Sequence, residues 1–273
     1  MSVLFCFLVS LSYVIGLFTL APLARYQERD TVVHIRKRLL AASIVTAMIA
    51  WVTSMLSNSA QVWEVCGLGG VGIVRPLLST LFLMTIFYLG PVSVQLALLL
   101  LKDKSKERLT PRFNLWIPTT STDAHILLRN LVFAPISEEI IFRGVVVFLL
   151  RRSQLQQSSI VFTAPLFFAP AHLHHAVVKY WSGYASQHVL SETLGQLTYT
   201  YIFGCIATLL YLRTGTIAAS ILSHVICNIV QLPDLSFWTG GQLFPFRYVL
   251  LLLHGLGLVL FVLFIYPLTE PVT

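Results

Sequence analysis

The chain has 273 residues, of which 56% are hydrophobic and only 11% are charged, against about 25% charged residues in a typical soluble domain. A soluble monomer with so few charges would expose large apolar patches, so the composition excludes an ordinary soluble globule and favours membrane lipid as the solvent. The formal charge of +7 does not indicate a nucleic acid partner, because the basic residues lie between apolar runs and are not interleaved with aromatic side chains.

Apolar windows long enough to span a bilayer recur along the chain. A spanning helix needs about 20 mainly apolar residues. Eight windows meet this requirement, at residues 3–23, 39–57, 76–101, 125–150, 160–178, 194–212, 214–232 and 248–268. The Gly-rich stretch 58–75 is interpreted as a loop or a re-entrant piece. The sequence thus predicts an all-α, polytopic membrane protein of about eight transmembrane helices, forming one integral membrane domain over residues 1–273.

Basic residues are distributed unevenly between the two sides of this arrangement. With the N-terminus outside, the inner loops 24–38 and 102–124 carry five Lys or Arg residues each. Lys and Arg concentrate in cytoplasmic loops, so these loops are predicted to be cytosolic. Arg151 and Arg152 lie on the disfavoured side unless the window 125–150 is irregular.

Prolines inside the windows predict broken helices. Pro91, Pro135, Pro165 and Pro170 each lack the N–H that would continue a helical hydrogen-bond ladder. Broken helices at membrane depth are tolerated only where protein or a water-filled cavity covers the freed backbone. We therefore expect the helices to surround a polar intramembrane cavity.

Two adjacent carboxylates and an arginine interrupt the fourth window. Glu138, Glu139 and Arg143 lie in an otherwise apolar run, where each charge costs at least about 2.5 kcal/mol. On a helix, Glu139 and Arg143 are four residues apart and can pair, whereas Glu138 is turned about 100° away from Glu139. Glu138 is then left to accept and return a proton. A structural ion-pair cluster is the alternative interpretation.

Histidines lie in two later windows. His172 and His175 are three residues apart, so we expect them on one helix face, with His174 pointing elsewhere. His224 and Asn228 are four residues apart, and both can donate hydrogen bonds to one developing negative charge. Either site alone is more typical of hydrogen bonding between helices.

Together these side chains supply the groups needed to hydrolyse an amide without a covalent nucleophile. Glu138, helped by His172, can deprotonate a water that attacks the scissile carbonyl. His224 and Asn228 can hold the oxyanion. The same donors could instead bind zinc, which would activate the water. Because the chain has no HExxH motif and no CxxC pair, we expect no metal and no other cofactor.

Three motifs resemble those of the CAAX protease and bacteriocin-processing family of intramembrane enzymes, and within it the type II CAAX prenyl endopeptidases. They read EExxxR, FxxxAHxxH and HxxxN, and they occur in the family's order. They lie in the segments LRNLVFAPISEEIIFRG, APLFFAPAHLHH and LYLRTGTIAASILSHVICNIVQLP. The resemblance covers most of the C-terminal half and indicates a catalytic core over residues 125–233, while the N-terminal half is similar in hydropathy only.

This resemblance implies a glutamate-dependent endopeptidase of the endoplasmic reticulum membrane. Such an enzyme removes the last three residues of proteins whose CAAX cysteine has been prenylated. Glu138 would be the base and His172 its partner on the water. The catalytic residues implied are Glu138, His172, His224 and Asn228, and the supporting residues are Glu139, Arg143 and Phe168.

The substrates implied by the resemblance are farnesylated or geranylgeranylated CAAX proteins, such as small GTPases. A prenyl chain contributes roughly 0.8 kcal/mol per buried CH₂, so such a substrate is already at the membrane. Its peptide comes from the cytosol, and we expect the active site to open to that side. A non-enzymatic scaffold of the same fold and a transporter that uses the buried charges as a proton relay are the other interpretations.

Overall fold

The computed structural model describes residues 2–22, 30–57, 61–68, 72–101, 120–231, 233 and 235–270. Over these residues the chain is a bundle of helices without a β-strand. Five helices are long and apolar enough to span a bilayer, and a sixth span results if a bent pair of helices is counted as one. The predicted all-α, polytopic membrane architecture is therefore confirmed.

The first half of the chain forms two long helices and a bent pair. These elements and a short helix between them are α1 (Ser2–Leu20), α2 (Val32–Leu56), α3 (Val62–Val65), α4 (Val74–Phe87) and α5 (Leu89–Leu100). The axes of α4 and α5 differ by 64°. Pro91 explains the break, since it has no N–H to donate to the carbonyl of Phe87.

A central helix runs from Ser121 to Arg152, and two π-helical segments interrupt its α-helical winding. Its parts are α6 (Ser121–Leu128), a π-helical segment (Arg129–Phe133), α7 (Ala134–Glu139), a second π-helical segment (Ile140–Val145) and α8 (Val146–Arg152). Pro135 is the second residue of α7, just after the first π segment, and it cannot donate to the carbonyl of Leu131. The predicted irregularity thus lies about one helical turn before the two glutamates.

The remaining helices complete the bundle. They are α9 (Gln157–Thr163), α10 (Pro165–Phe168), a 3₁₀ segment (Ala169–Leu173), α11 (His174–Trp181), α12 (Ser186–Thr214), α13 (Ile217–Val230) and α14 (Arg247–Leu268). The segments from α9 to α11 form one candidate span, Gln157–Trp181, whose winding changes at Pro165 and around Pro170.

All eight predicted windows coincide with helices, but the predicted number of spans is too high by the criteria of length and apolarity. The central helix carries three charges at its centre, so it is not among the apolar spans. Helix α13 has 14 residues and is about 21 Å long, which is shorter than the roughly 30 Å hydrocarbon core. By these criteria, five or six spans are found among the described residues, against the eight predicted.

The Arg151–Arg152 pair ends α8 without any reversal of the central helix. The guanidinium of Arg152 donates to the carbonyl of Ser57 at 2.9 Å, and that of Arg151 lies 5.7 Å from the ring centroid of Tyr211. The pair therefore remains on the side that the predicted topology places outside the cytosol. Protein groups contact both of its charges. Most of the basic loop residues predicted to be cytosolic lie outside the described residues.

Glycines allow close packing around the central helix. A Cβ atom on Gly144 would lie 2.9 Å from the main-chain carbonyl carbon of Cys66, and one on Gly204 would lie 2.7 Å from Cβ of Pro165. Small residues are typical of such close approaches in membranes. The first contact packs the central helix against the α3 region, and the second packs α12 against α10.

Candidate active site

A cavity of about 230 Å³ lies toward one end of the bundle. Its walls come from the last turns of α1, the first turns of α2, the first half of the central helix, the segment 171–178 and the end of α13. The four predicted catalytic side chains, Glu138, His172, His224 and Asn228, all line this cavity. The expected polar cavity therefore exists, and it brings together residues from three separate helical segments.

A buried ion pair lies behind the cavity wall. Glu139 accepts a hydrogen bond from Nη1 of Arg143 at 2.7 Å, and both side chains are at most 1% exposed. The predicted pairing of these residues is confirmed. The guanidinium of Arg143 also lies 4.4 Å from the ring centroid of Phe168. Phe168 thereby supports the ion pair through a cation–π contact.

The same carboxylate also orients His224. Nδ1 of His224 lies 2.7 Å from Oε1 of Glu139. An ionised carboxylate can only accept, so Nδ1–H of His224 is the donor. No spacing rule predicts this contact, because the two residues are 85 positions apart.

Glu138 faces the cavity, unlike its neighbour. Its side chain is 22% exposed, whereas that of Glu139 is completely buried. Oε2 of Glu138 lies 3.9 Å from Nε2 of His224. The predicted divergence of the two glutamates is confirmed, and His224 has one carboxylate near each ring nitrogen.

His172 is held by its own helical turn. Its Nδ1 lies 3.3 Å from the carbonyl oxygen of Phe168, which can only accept a hydrogen bond. Nδ1 therefore carries the proton, and in the neutral ring Nε2 is left as an acceptor. The edge of the imidazole packs against the Phe168 ring, with centroids 4.9 Å apart. Phe168 thus contacts both His172 and Arg143.

Asn228 connects α13 to the first π-helical segment. Its side-chain amide donates to the carbonyl oxygen of Asn130 at 2.8 Å. This bond uses one of its two N–H groups and leaves the second for a ligand. His224 and Asn228 share a helix face as predicted, but the sequence did not indicate the Asn130 contact.

The prediction that His174 points away from the other histidines was wrong. His174 lines the cavity, and its ring centroid is 3.9 Å from that of His175. The preceding 3₁₀ segment, Ala169–Leu173, has about three residues per turn, so the angular spacing of a regular α-helix does not apply there.

The N-terminal half contributes side chains that sequence reasoning missed. The hydroxyl of Tyr13 lies 3.2 Å from Oγ of Ser137, next to Glu138, and Arg38 also lines the cavity. The sequence analysis places Arg38 in a basic loop, whereas in the structure it lies in the second turn of α2, which brings it to the cavity. The available signal was its position directly before the apolar window 39–57.

The donor atoms of the described residues do not form a metal site. Within that part of the chain, no three His, Cys, Asp or Glu side chains are placed to hold one ion. The four cysteines are free thiols, and three of them are buried.

Comparisons with known proteins point to one family. The model of the type II CAAX prenyl endopeptidase Rce1-like family matches residues 120–230. The chain is 30% identical to the CAAX prenyl protease 2 of Arabidopsis thaliana, over 97% of this chain and 88% of that protein. It is also 30% identical to the CAAX prenyl protease 2 of Homo sapiens, over 99% and 82% of the two chains. No solved structure matches.

These alignments include the N-terminal half of the chain. The expectation that this half is similar in hydropathy only was therefore wrong.

Proposed function

Since this chain belongs to the type II CAAX prenyl endopeptidase family and is a multi-pass membrane peptidase, we propose that it removes the C-terminal tripeptide from prenylated CAAX proteins inside its cavity. The observation that carries the proposal is Glu138. Of the described residues, it is the one carboxylate that lines the cavity, and His172, His224 and Asn228 line the same cavity.

The first step is activation of a water molecule. Glu138 accepts a proton from the water, and Nε2 of His172 accepts a hydrogen bond from it, because Nδ1 of that ring is engaged with the Phe168 carbonyl. The water oxygen then attacks the carbonyl carbon of the prenylated cysteine. The positions of both side chains at the cavity support these roles.

The second step is stabilisation of the oxyanion. The remaining N–H of Asn228 donates to it. Since Nδ1–H of His224 is bonded to Glu139, Nε2 carries a proton only in the imidazolium form. His224 is therefore proposed to act as an imidazolium in this step, with carboxylates near both of its ring nitrogens.

The third step is departure of the tripeptide. The C–N bond breaks, and Glu138 returns its proton to the leaving amine, so that the carboxylate is regenerated. The products are a new cysteine carboxylate on the prenylated protein and a free tripeptide. No group other than water is consumed.

The substrate is proposed to approach from the cytosolic side of the endoplasmic reticulum membrane, as the family resemblance implies. The cavity lies at the end of the bundle where α2 begins. The second turn of α2 carries Arg36, Lys37 and Arg38. Basic residues at this end favour a cytosolic position. A farnesyl or geranylgeranyl chain would remain in lipid while the peptide enters the cavity.

A cleavage assay with purified protein tests the proposal. We expect a farnesylated CAAX peptide to release its tripeptide, detected by mass spectrometry, and its unprenylated twin to react much more slowly. We expect His172→Ala to lower kcat by about 10²- to 10⁴-fold, as for loss of acid–base assistance. His188→Ala is the matched control, because this histidine is 55% exposed on α12 and does not line the cavity. Cleavage by His172→Ala at the normal rate would contradict the assignment.

A further inference from the structure

One wall of the cavity is a series of neighbouring, mutually tilted rings that leads away from His172. The ring centroids of His172 and His175 are 6.0 Å apart, those of His175 and His174 are 3.9 Å apart, and those of His174 and Phe18 are 5.2 Å apart. At the far end, the guanidinium carbon of Arg38 lies 5.4 Å from the Phe18 centroid. The series therefore connects the proposed water-activating histidine to a cation.

Arg38 lies over the ring of Phe18 and lines the same cavity, so it is the cation at the far end of the ring series. The N–H donors of a guanidinium lie in one plane, in a fixed fork. These planar donors match the two oxygens of a carboxylate.

The proposed reaction requires a fixed distance between two points of the substrate. An enzyme that always releases three residues must hold the C-terminal carboxylate at a set separation from the attacked carbonyl. Three extended residues span at most about 10 Å. A cation farther along the wall that carries His172 would supply this second fixed point.

We propose that Arg38 binds the C-terminal carboxylate of the substrate and that the departing tripeptide lies along the rings of Phe18, His174 and His175. This assignment rests on the proposed function and adds a residue that determines the length of the product. It gives the N-terminal half of the chain a part in substrate selection. The substrate's carboxylate would be the second one in the cavity, after that of Glu138. Arg38 supplies the positive charge that compensates it.

The test pairs a change in the substrate with a change in the protein. Two farnesylated CAAX peptides are compared, one with a free C-terminal carboxylate and one with a C-terminal amide, which has the same shape but no charge. We expect the wild type to cleave the carboxylate peptide with a kcat/KM about 10- to 100-fold higher, the factor expected for a hydrogen bond to a charged group. We expect Arg38→Met to lose this preference, so that the two peptides are cleaved with equal kcat/KM.

Two further variants make the test specific. Arg38→Lys keeps the charge but not the planar pair of donors, so it should retain only part of the preference. Arg36→Met removes the same group from the same helix, at an exposed position that contacts His125 and does not line the cavity, and it should keep the full preference.

The possible failures are distinguishable. Equal cleavage of the two peptides by the wild type would overturn carboxylate recognition and leave the proposed function intact. An equal slowing of both peptides by Arg38→Met would show that Arg38 acts on Glu138 or on the fold, and it would also overturn the inference. Absence of cleavage of either peptide by the wild type would overturn the proposed function itself.

Discussion

Replacing each of the adjacent glutamates by glutamine should show that Glu138 serves mainly catalysis and Glu139 mainly stability. Glu138 is 22% exposed to the cavity, and its contact with His224 is at 3.9 Å, so Glu138→Gln should change the free energy of unfolding by less than about 1 kcal/mol. Glutamine cannot accept the proton of water, so kcat should fall by roughly 10²- to 10⁴-fold.

Glu139→Gln should chiefly lower the stability of the protein. Its carboxylate is fully buried and contacts Arg143 and His224 at 2.7 Å each. Removal of one partner of a buried ion pair costs about 3–5 kcal/mol, because the remaining charge is uncompensated. We therefore expect a large loss of stability from this substitution. The double variant Glu139→Gln/Arg143→Met should recover most of that loss, since it removes both charges together.

The two quantities are measured separately for each variant. Unfolding in mixed detergent micelles gives the free energy, and tripeptide release from a farnesylated peptide gives kcat. The reasoning is refuted if Glu138→Gln and Glu139→Gln lose equal amounts of stability, or if Glu138→Gln cleaves at the wild-type rate.

Three other substitutions or treatments test separate parts of the structure. Asn228→Ala should lower kcat by on the order of 10²-fold through loss of an oxyanion donor; a normal kcat with a raised KM would indicate substrate binding instead. Gly144→Ala should destabilise the protein, because its Cβ would lie 2.9 Å from the backbone of Cys66, whereas Gly255→Ala has open space around it and should be neutral or slightly stabilising in the same unfolding measurement. If Gly144→Ala and Gly255→Ala had the same free energy of unfolding, the packing argument would be contradicted. Activity should persist after zinc is removed by a chelator, and a loss that added zinc restores would favour the metal-dependent mechanism.

The motifs made much of the active site predictable. The i,i+4 spacing of Glu139 and Arg143 fixes their pairing on any helix, and the same spacing of His224 and Asn228 fixes their common face. The turn of about 100° between consecutive residues predicts that Glu138 and Glu139 diverge. These features depend only on local geometry, which the sequence encodes directly.

Contacts between distant segments could not be predicted in this way. The bond between His224 and Glu139 decides which nitrogen of the imidazole faces the cavity, and the bond between Asn228 and Asn130 uses a carbonyl of a π-helical segment. The position of His174 depends on a 3₁₀ turn whose winding differs from that of an α-helix. No spacing rule contains this information.

Composition by itself determined that the chain belongs in a membrane, and Pro91, Pro135, Pro165 and Pro170 marked places where the helical winding changes, because hydropathy and a missing N–H act locally. Only the tertiary structure decided which side chains share the cavity. Residues from α1 and α2 reach it because helices that are far apart in sequence pack side by side, and that packing gives Arg38 and Phe18 their place beside the histidines.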